Sequence, residues 1–413
     1  QELAIKTGRP LIGINDGAGR IDFDWHPNPN NDIRFGTHVI QHNFDPGKFD
    51  IKTIITTEDV NQDTSFGNKK IPATEFSAWF EDDVKITPRL RTNVGLHFSG
   101  FNAKGKTWTS LQPRFNARWL FDGGYALKGS FSTMRQFIHL LTSDGINLPT
   151  DLWLPTTNLV KPEDSWQAAI GAAKTFRDAY EVSFEGYYKE MDGVISFGEG
   201  ESLFETSDWQ TKVTQGKGTC YGAEFFVQKK KGRFSGWLGY TLSWNWRQFD
   251  DLNFGKKYPY KYDRRHDFEV VGTYKFNDRV QLSATWVYGT GNAVTIGESN
   301  YYTPQSDRYD FFNKLDLVNI TERNNYRMKA YHRLDWGLDF TKKKRRFTRT
   351  WSFGAYNSYS HNNPFFIYQN SKFTYQPNGG YTEEKTFRQV SLFPIIHRFF
   401  IGENRIKLFA RKF

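Results

Sequence analysis

A single cysteine, Cys220, stands in a chain of 413 residues. One thiol excludes an intramolecular disulfide and a cysteine-rich metal centre. Long apolar runs are missing too. No stretch of 18 apolar residues occurs, so no helical membrane span is encoded. That absence says nothing against membrane strands, in which only alternate residues need be apolar. The Gly-x-Ser-x-Gly and zinc His-Glu patterns are absent, and no recognisable motif sets a nucleophile beside a base, so catalysis is not expected. The chain begins with Gln and shows no signal peptide, which reads as a mature protein or a fragment.

What is abundant is aromatic. Hydrophobic residues make up only 38% of the chain, yet aromatics reach 17%, with 38 Phe, 21 Tyr and 13 Trp. A soluble chain hides such a load in its core, whereas a membrane barrel shows it to lipid and sets it in interfacial girdles. The net charge is +10. Basic chains often meet nucleic acid or anionic lipid, but there is no recognition-helix or zinc pattern and no concentrated basic stripe, so nucleic acid is not expected. The largest basic run, Lys342–Arg346 (KKKRR), reads as a solvated turn.

The stretch Arg233–Arg247 (RFSGWLGYTLSWNWR) gives the design. Its even positions, Phe234 to Trp246, are apolar or aromatic, and its odd positions are mostly polar. Strand side chains alternate between faces. The segment exceeds the usual 5–6 residues of a globular strand and suits a transmembrane strand of about 9–11 residues with wet ends. The same alternation recurs at Arg114–Phe121, Tyr180–Glu190, Asp267–Phe276, Val280–Tyr288 and Arg333–Phe340.

Short turns at Thr87–Arg89, Asp122–Gly124, Arg177–Ala179, Lys230–Gly232, Asn277–Arg279 and Lys342–Arg346 alternate with long connections near 57–72, 102–108, 135–163, 191–217, 248–262, 291–328 and 361–386. Short periplasmic turns and long extracellular loops are the arrangement of outer-membrane barrels. The fold expected is therefore all-β, a transmembrane antiparallel up-and-down β-barrel with about 15–16 visible strands. The expected division is a loop-rich segment over 1–32 and one barrel domain over 33–413.

Several residues are candidates for chemistry. His38 and His42 share a strand face but lie about 13 Å apart at the strand rise, too far to share a metal. Asn15, Asp16, Asp22 and Asp24 loosely suggest a calcium loop, but a solvated acidic loop is the default. Glu81, Asp82 and Asp83 form a small acidic run at a strand end near a periplasmic turn. No cofactor, metal or catalytic site is expected. Asp144, Arg135 and His139 fit substrate contact or loop packing better than hydrolysis. Phe204, Trp209, Tyr301 and Tyr302 are loop aromatics able to stack on a ligand or to fill a loop core. Arg135, His139, Trp153 and Trp209 are the ligand-binding candidates.

A family resemblance spans about residues 33–395. It is carried by Glu75–Leu96 (EFSAWFEDDVKITPRLRTNVGL), Thr109–Arg114 (TSLQPR), Lys128–Leu141, Leu148–Pro155 (LPTDLWLP), Lys161–Trp166 (KPEDSW), Gly216–Glu224 (GKGTCYGAE), Tyr262–Asp267 (YDRRHD), Ala284–Ala293 and Tyr326–Asp335 (YRMKAYHRLD). In order and spacing these resemble the C-terminal barrel portion of TonB-dependent outer-membrane receptors of the Bacteroidetes type. The family's plug domain and TonB box are not seen here, and Gln389–Phe400 looks like the closing strand. The resemblance implies part of a 22-stranded barrel and TonB-dependent uptake of a siderophore, vitamin, peptide or glycan across the outer membrane. The partners it implies are the TonB-ExbB-ExbD system, a plug encoded upstream or on another chain, membrane lipid and lipopolysaccharide, with a SusD-type surface lipoprotein as an optional further partner. A passive porin or structural barrel is the alternative.

Overall fold

The structure is a computed structural model. It describes residues 3–7, 13–45, 48–55, 60–67, 70–142, 151–199, 201, 208–297, 299–302, 316–345, 347–375, 381–391 and 403–408. One long antiparallel sheet dominates it. In order across the sheet its strands are Gly13–Asn28, Asn31–Asp45, Ile71–Lys85, Leu90–Ala103, Lys106–Phe121, Tyr125–Gln136, Glu163–Phe176, Tyr180–Phe197, Val213–Lys229, Phe234–Gln248, His266–Lys275, Val280–Gly289, Tyr331–Lys343, Phe347–Ala355 and Glu403–Leu408. Each pairs with its sequence neighbour in this set, the order of an up-and-down barrel.

Register assigns the two faces. Phe131 stands opposite Ala168, Ala168 opposite Tyr188, Tyr188 opposite Tyr221 and Tyr221 opposite Trp244. This apolar face is the outer one. Along the long-loop side its rings form a band: Phe131–Trp166 at 6.3 Å between centroids, Trp166–Tyr188 at 5.5 Å and Tyr221–Trp244 at 5.3 Å. A second exposed band, including Phe121, Tyr125, Phe176, Tyr180 and Phe234, lies at the short-turn ends. Ten residues separate Trp166 from Phe176, and ten separate Trp244 from Phe234. At about 3.3 Å per residue and a tilt of about 40° that is roughly 25 Å, the height of an apolar barrel belt. The opposite face carries Arg114, Asn116, Arg118, Glu185 and Lys189, a polar lumen wall.

Four readings of the sequence need correction. Residues 13–28 are not loop. They form a strand paired with 31–45 through a turn at Pro29–Asn30, and Asp22 and Asp24 lie on it, so they form no calcium loop. Asp and Gly, which strands normally disfavour, hid the alternation of Ile21, Phe23 and Trp25 with Arg20, Asp22 and Asp24. The connection at 102–108 is not long. It is a two-residue turn in which Lys104 (φ 48) and Gly105 (φ 77) both take the left-handed conformation that a tight hairpin demands. Gln389 belongs to a separate hairpin, Pro364–Tyr375 with Tyr381–Ser391. The strand that joins the sheet after 347–355 is Glu403–Leu408, while 392–400 lie outside the described residues.

Leu238 sits on the outer face between the two aromatic bands, opposite Val227 and Val270. We expect Leu238→Arg to cost about 2–4 kcal/mol, measured by denaturant unfolding of the chain folded in phospholipid vesicles. Thr241→Arg, on the lumen face, should cost far less. Equal losses would invert the assignment of faces.

Candidate binding site at the long-loop mouth

The lumen wall turns apolar at its long-loop end. Phe44, Ile71, Ala73, Phe101 and Ala103 all point inward there and are buried. What buries them is the connection 137–162. Its hairpin, Ile138–Leu141 with Leu152–Pro155, packs Leu141, Leu152 and Leu154 into the same core, together with Phe137 and Val160. Phe101 and Phe137 stack at 5.2 Å. Trp108 fixes the loop from the wall, its Nε1–H donating to the Thr157 carbonyl at 3.2 Å. Polar groups in such a core must be bonded locally, and Thr157 does so, its Oγ1 accepting from the Val160 N–H at 3.2 Å.

Beside this core lies a cavity of about 570 Å³ lined by Ile14, Glu75, Arg135, Trp153, Glu163 and Lys189 among others. It combines an aromatic ring with charges of both signs. A concave pocket with a few convergent polar groups is the usual form of a small-ligand site. Trp153 is 49% exposed and offers a ring face to a flat or sugar-like ligand.

The four sequence candidates separate here. Arg135 and Trp153 line the same cavity. His139 and Trp209 are each 1% exposed and belong to the packed mouth. His139 Nε2 lies 3.2 Å from Thr156 Oγ1. Burial pushes its pKa down to about 4, opposed by its hydrogen bond to the Lys161 backbone, which favours the charged form. Arg135 is held as a fork, its Nε and Nη2 each 2.6 Å from a carboxylate oxygen of Asp164. Its Nη1 donates to the Thr109 carbonyl at 2.7 Å. The reason lies in the neighbouring strand, where pairing with 125–136 ends at Arg114 opposite Ser132, next to Pro113. Proline has no N–H to continue a ladder. Arg135 spans the opening that results.

A second set of contacts, which sequence reasoning did not find, ties the loops together. Asp263 is fully buried. Its carboxylate accepts from the Asn245 N–H at 2.8 Å, from Arg265 Nη2 at 3.2 Å and from Arg327 Nη2 at 2.5 Å. Arg327 also reaches the Asp263 and Gly291 carbonyls. Two residues away, Lys261 Nζ pairs with Asp151 at 3.1 Å, and the Tyr262 hydroxyl donates to the other oxygen of Asp151. Asn324 Nδ2 donates to the Pro259 carbonyl at 2.8 Å. Three loops are thereby cross-bonded around the mouth. Asp263 and Arg327 fall in the YDRRHD and YRMKAYHRLD stretches, but their separation of 64 positions gave no sign that they meet.

Deeper in the lumen a polar cavity of about 470 Å³ is lined by Asp83, Asn93, Asn116, Arg118, Lys128 and Glu185 among others. Of the acidic run, Glu81 pairs with Arg34 at 3.2 Å and Asp83 with Arg91. His42 lies 2.8 Å from Asp16 and 3.5 Å from Glu75. Among the described residues no group of three or more His, Cys, Asp or Glu could hold a metal ion. Asp144 and Phe204 lie outside the described residues. Tyr301 and Tyr302 fall on the strand Ser299–Tyr302.

Two outcomes follow from the mouth geometry. His139 has a folded pKa below its unfolded value of about 6.5, so its stabilising contribution is complete above about pH 6.5 and is lost as pH falls toward 4. The full effect is on the order of 3 kcal/mol. Hydrogen exchange at 138–141, corrected for intrinsic rates, should rise across that window, and His139→Phe should flatten the dependence. Asp263→Ala leaves two guanidinium groups without their carboxylate. It should destabilise the loops by about 3–5 kcal/mol, read as faster amide exchange at 323–328 with the barrel strands unchanged.

No protein of curated function matches the sequence. Among solved structures the chain is similar to the FrpB iron transporter from Neisseria meningitidis (F3-3 variant), with TM-score 0.55 and 12% identity over 86% of this chain and 51% of that one. It is similar to the copper transporter OprC, with TM-score 0.55 and 12% identity over 85% of this chain and 51% of that one. It is also similar to the ferric yersiniabactin uptake receptor FyuA from Yersinia pestis, with TM-score 0.54 and 12% identity over 89% and 52%. The chain spans about half the length of these structures. Residues 10–358 match the family described as TonB dependent receptor-like, beta-barrel, and with its strand order, aromatic bands and polar lumen the chain belongs to that family of outer-membrane barrels.

Proposed function

We propose that this chain is the barrel of an energised outer-membrane transporter for a nutrient of the siderophore, vitamin, peptide or glycan class. The observation that carries this reading is the mouth, whose loops are cross-bonded over the lumen and leave a mixed aromatic and charged cavity at Trp153. A passive pore gains nothing from a packed apolar mouth, whereas a receptor uses it to hold a ligand before transport. Family membership supports the reading. The similar structures are named as iron, copper and ferric siderophore transporters.

In this reading a plug, encoded upstream or on a separate chain, fills the barrel against Asp83, Arg118, Lys128 and Glu185. The TonB-ExbB-ExbD system drives it from the periplasm. The motif stretches at 75–96 and 216–224 support the Bacteroidetes type and a 22-stranded barrel, and a SusD-type lipoprotein would then cover the mouth. The residues assigned to ligand contact are Trp153, with Arg135 at the cavity wall. His139 and Trp209 shape the mouth from within its core. No catalytic step is assigned.

A deletion strain grown on single sources of iron, vitamin or glycan should fail on one of them at limiting concentration. Trp153→Ala in the restored gene should reduce uptake of that nutrient about tenfold at low supply and little at high supply. Uptake that persists in a strain lacking TonB, or in cells treated with a proton uncoupler, would sink active transport and favour a passive barrel.

A further inference from the structure

The positive charge of the chain is not spread evenly. Take each connection on the rim opposite the long loops, from the last residue of one strand to the first of the next: 28–31, 85–90, 121–125, 176–180, 229–234, 275–280 and 343–347. Their combined excess of cations over anions equals the net charge of the whole chain, +10. Everything else, the long loops included, is therefore balanced. Two connections dominate, 229–234 (KKKGRF) and 343–347 (KKRRF), and neither holds an acid.

Solvated turns account for these cations, but not for three lysines that stand on the outer wall at or beside the turns, Lys174, Lys229 and Lys342. Lys174 stands opposite Tyr125 on the outer face, and Lys229 opposite Tyr180. Lys342 continues the outward row of Trp336, Leu338 and Phe340. Lys174 Nζ lies 3.8 Å from the Tyr125 ring centroid and 4.6 Å from that of Phe176. Lys229 Nζ lies 5.4 Å from Tyr180 and 5.8 Å from Phe234. These rings belong to the aromatic band at the short-turn end. An ammonium seated on such a ring, with its stem along the apolar wall, lies at the depth of lipid phosphates.

Some of the rim cations are already paired, Lys230 with Glu181 at 2.5 Å and Arg89 with Asp122 at 2.9 Å. Among the described residues Lys229, Lys231, Arg233, Arg279, Lys342 and Lys343 form no ion pair. Lys229 and Lys342 stand on the outer face, and among the described residues no acid pairs with any of the six.

We propose that the short-turn rim is a binding surface for anionic glycerophospholipid. Lys174, Lys229 and Lys342 hold headgroup phosphates at the level of the aromatic band, and the cations of 229–234 and 343–347 supply the surrounding positive field. Short turns face the periplasm in outer-membrane barrels, so the lipid is that of the inner leaflet. An acidic periplasmic protein would answer the same charge. The seating of Lys174 and Lys229 on lipid-facing rings favours lipid.

The test uses the full chain folded in a non-ionic detergent, titrated with short-chain phosphatidylglycerol and with phosphatidylcholine of the same acyl length, and read by native mass spectrometry. We expect phosphatidylglycerol to bind at least tenfold more tightly, with the preference falling as salt rises from 50 to 500 mM. Lys174→Gln, Lys229→Gln and Lys342→Gln combined should abolish the preference, and the corresponding Arg replacements should keep it. Inorganic phosphate and a polyglutamate peptide, at matched charge, should not displace the lipid. Equal binding of the two lipids, or an unchanged preference in the triple Gln variant, overturns the proposal. Displacement by polyglutamate overturns it in favour of an acidic protein. If the triple variant does not fold, the lipid ratio and its salt dependence in the unmodified chain decide the matter.

Discussion

A strand in hydrocarbon has no water to satisfy its N–H and C=O groups, and each one left bare costs several kcal/mol. This single demand shapes the molecule. It makes every strand between the first and the last of the sheet pair on both sides, which makes the sheet long and its order sequential. Pairing fixes register, and register fixes which residues share a face. Two consequences then need no further cause. Aromatics on the outer face line up into bands, because neighbouring strands are locked in step. Polar residues gather on the other face, where water and a protein filling can meet them. The exception obeys the same rule. Pro113 ends one ladder at the height of the upper aromatic band, and the guanidinium of Arg135 supplies donors where the backbone cannot.

Beyond the hydrocarbon the constraint relaxes and side chains take over. Loops at the mouth have no continuous ladder, so they are held by a buried core and by charge pairs. Asp263 is the centre of this second system, accepting from one backbone N–H and two guanidinium groups. A fully buried carboxylate is costly alone, and its three donors join parts of the chain that are far apart in sequence. The mouth thereby becomes one cooperative unit with a cavity at its side. The same chemistry places Trp153 in the open and His139 in the core, although they lie in one small hairpin.

The barrel was legible because period two and turn residues are local signals. The strand at 234–248 could be read from fifteen letters. The strand at 13–28 could not, since Gly and Asp masked a short alternation that only its partner at 31–45 makes decisive. The Lys104–Gly105 turn reads as a longer loop in the sequence because the polar and glycine residues around it look the same in either case. The mouth was legible only in part. Trp153 and Arg135 were singled out, but nothing local distinguishes an exposed loop tryptophan from a buried one such as Trp209. The Asp263–Arg327 contact depends on two strands and a loop folding back, and no spacing rule encodes that.

The tight hairpin at Lys104–Gly105 has a consequence for the history of the molecule. The strands it joins, 90–103 and 106–121, raise no loop above the wall, and it is over their ends, at Phe101, Ala103 and Trp108, that the 137–162 connection rests. One connection is long because its neighbour is short. An insertion at 104–105 would occupy the space into which Leu141, Leu152 and Leu154 now pack. Homologous chains should therefore change these two lengths together, each extension of one compensated by a contraction of the other, even though the two segments share no ligand.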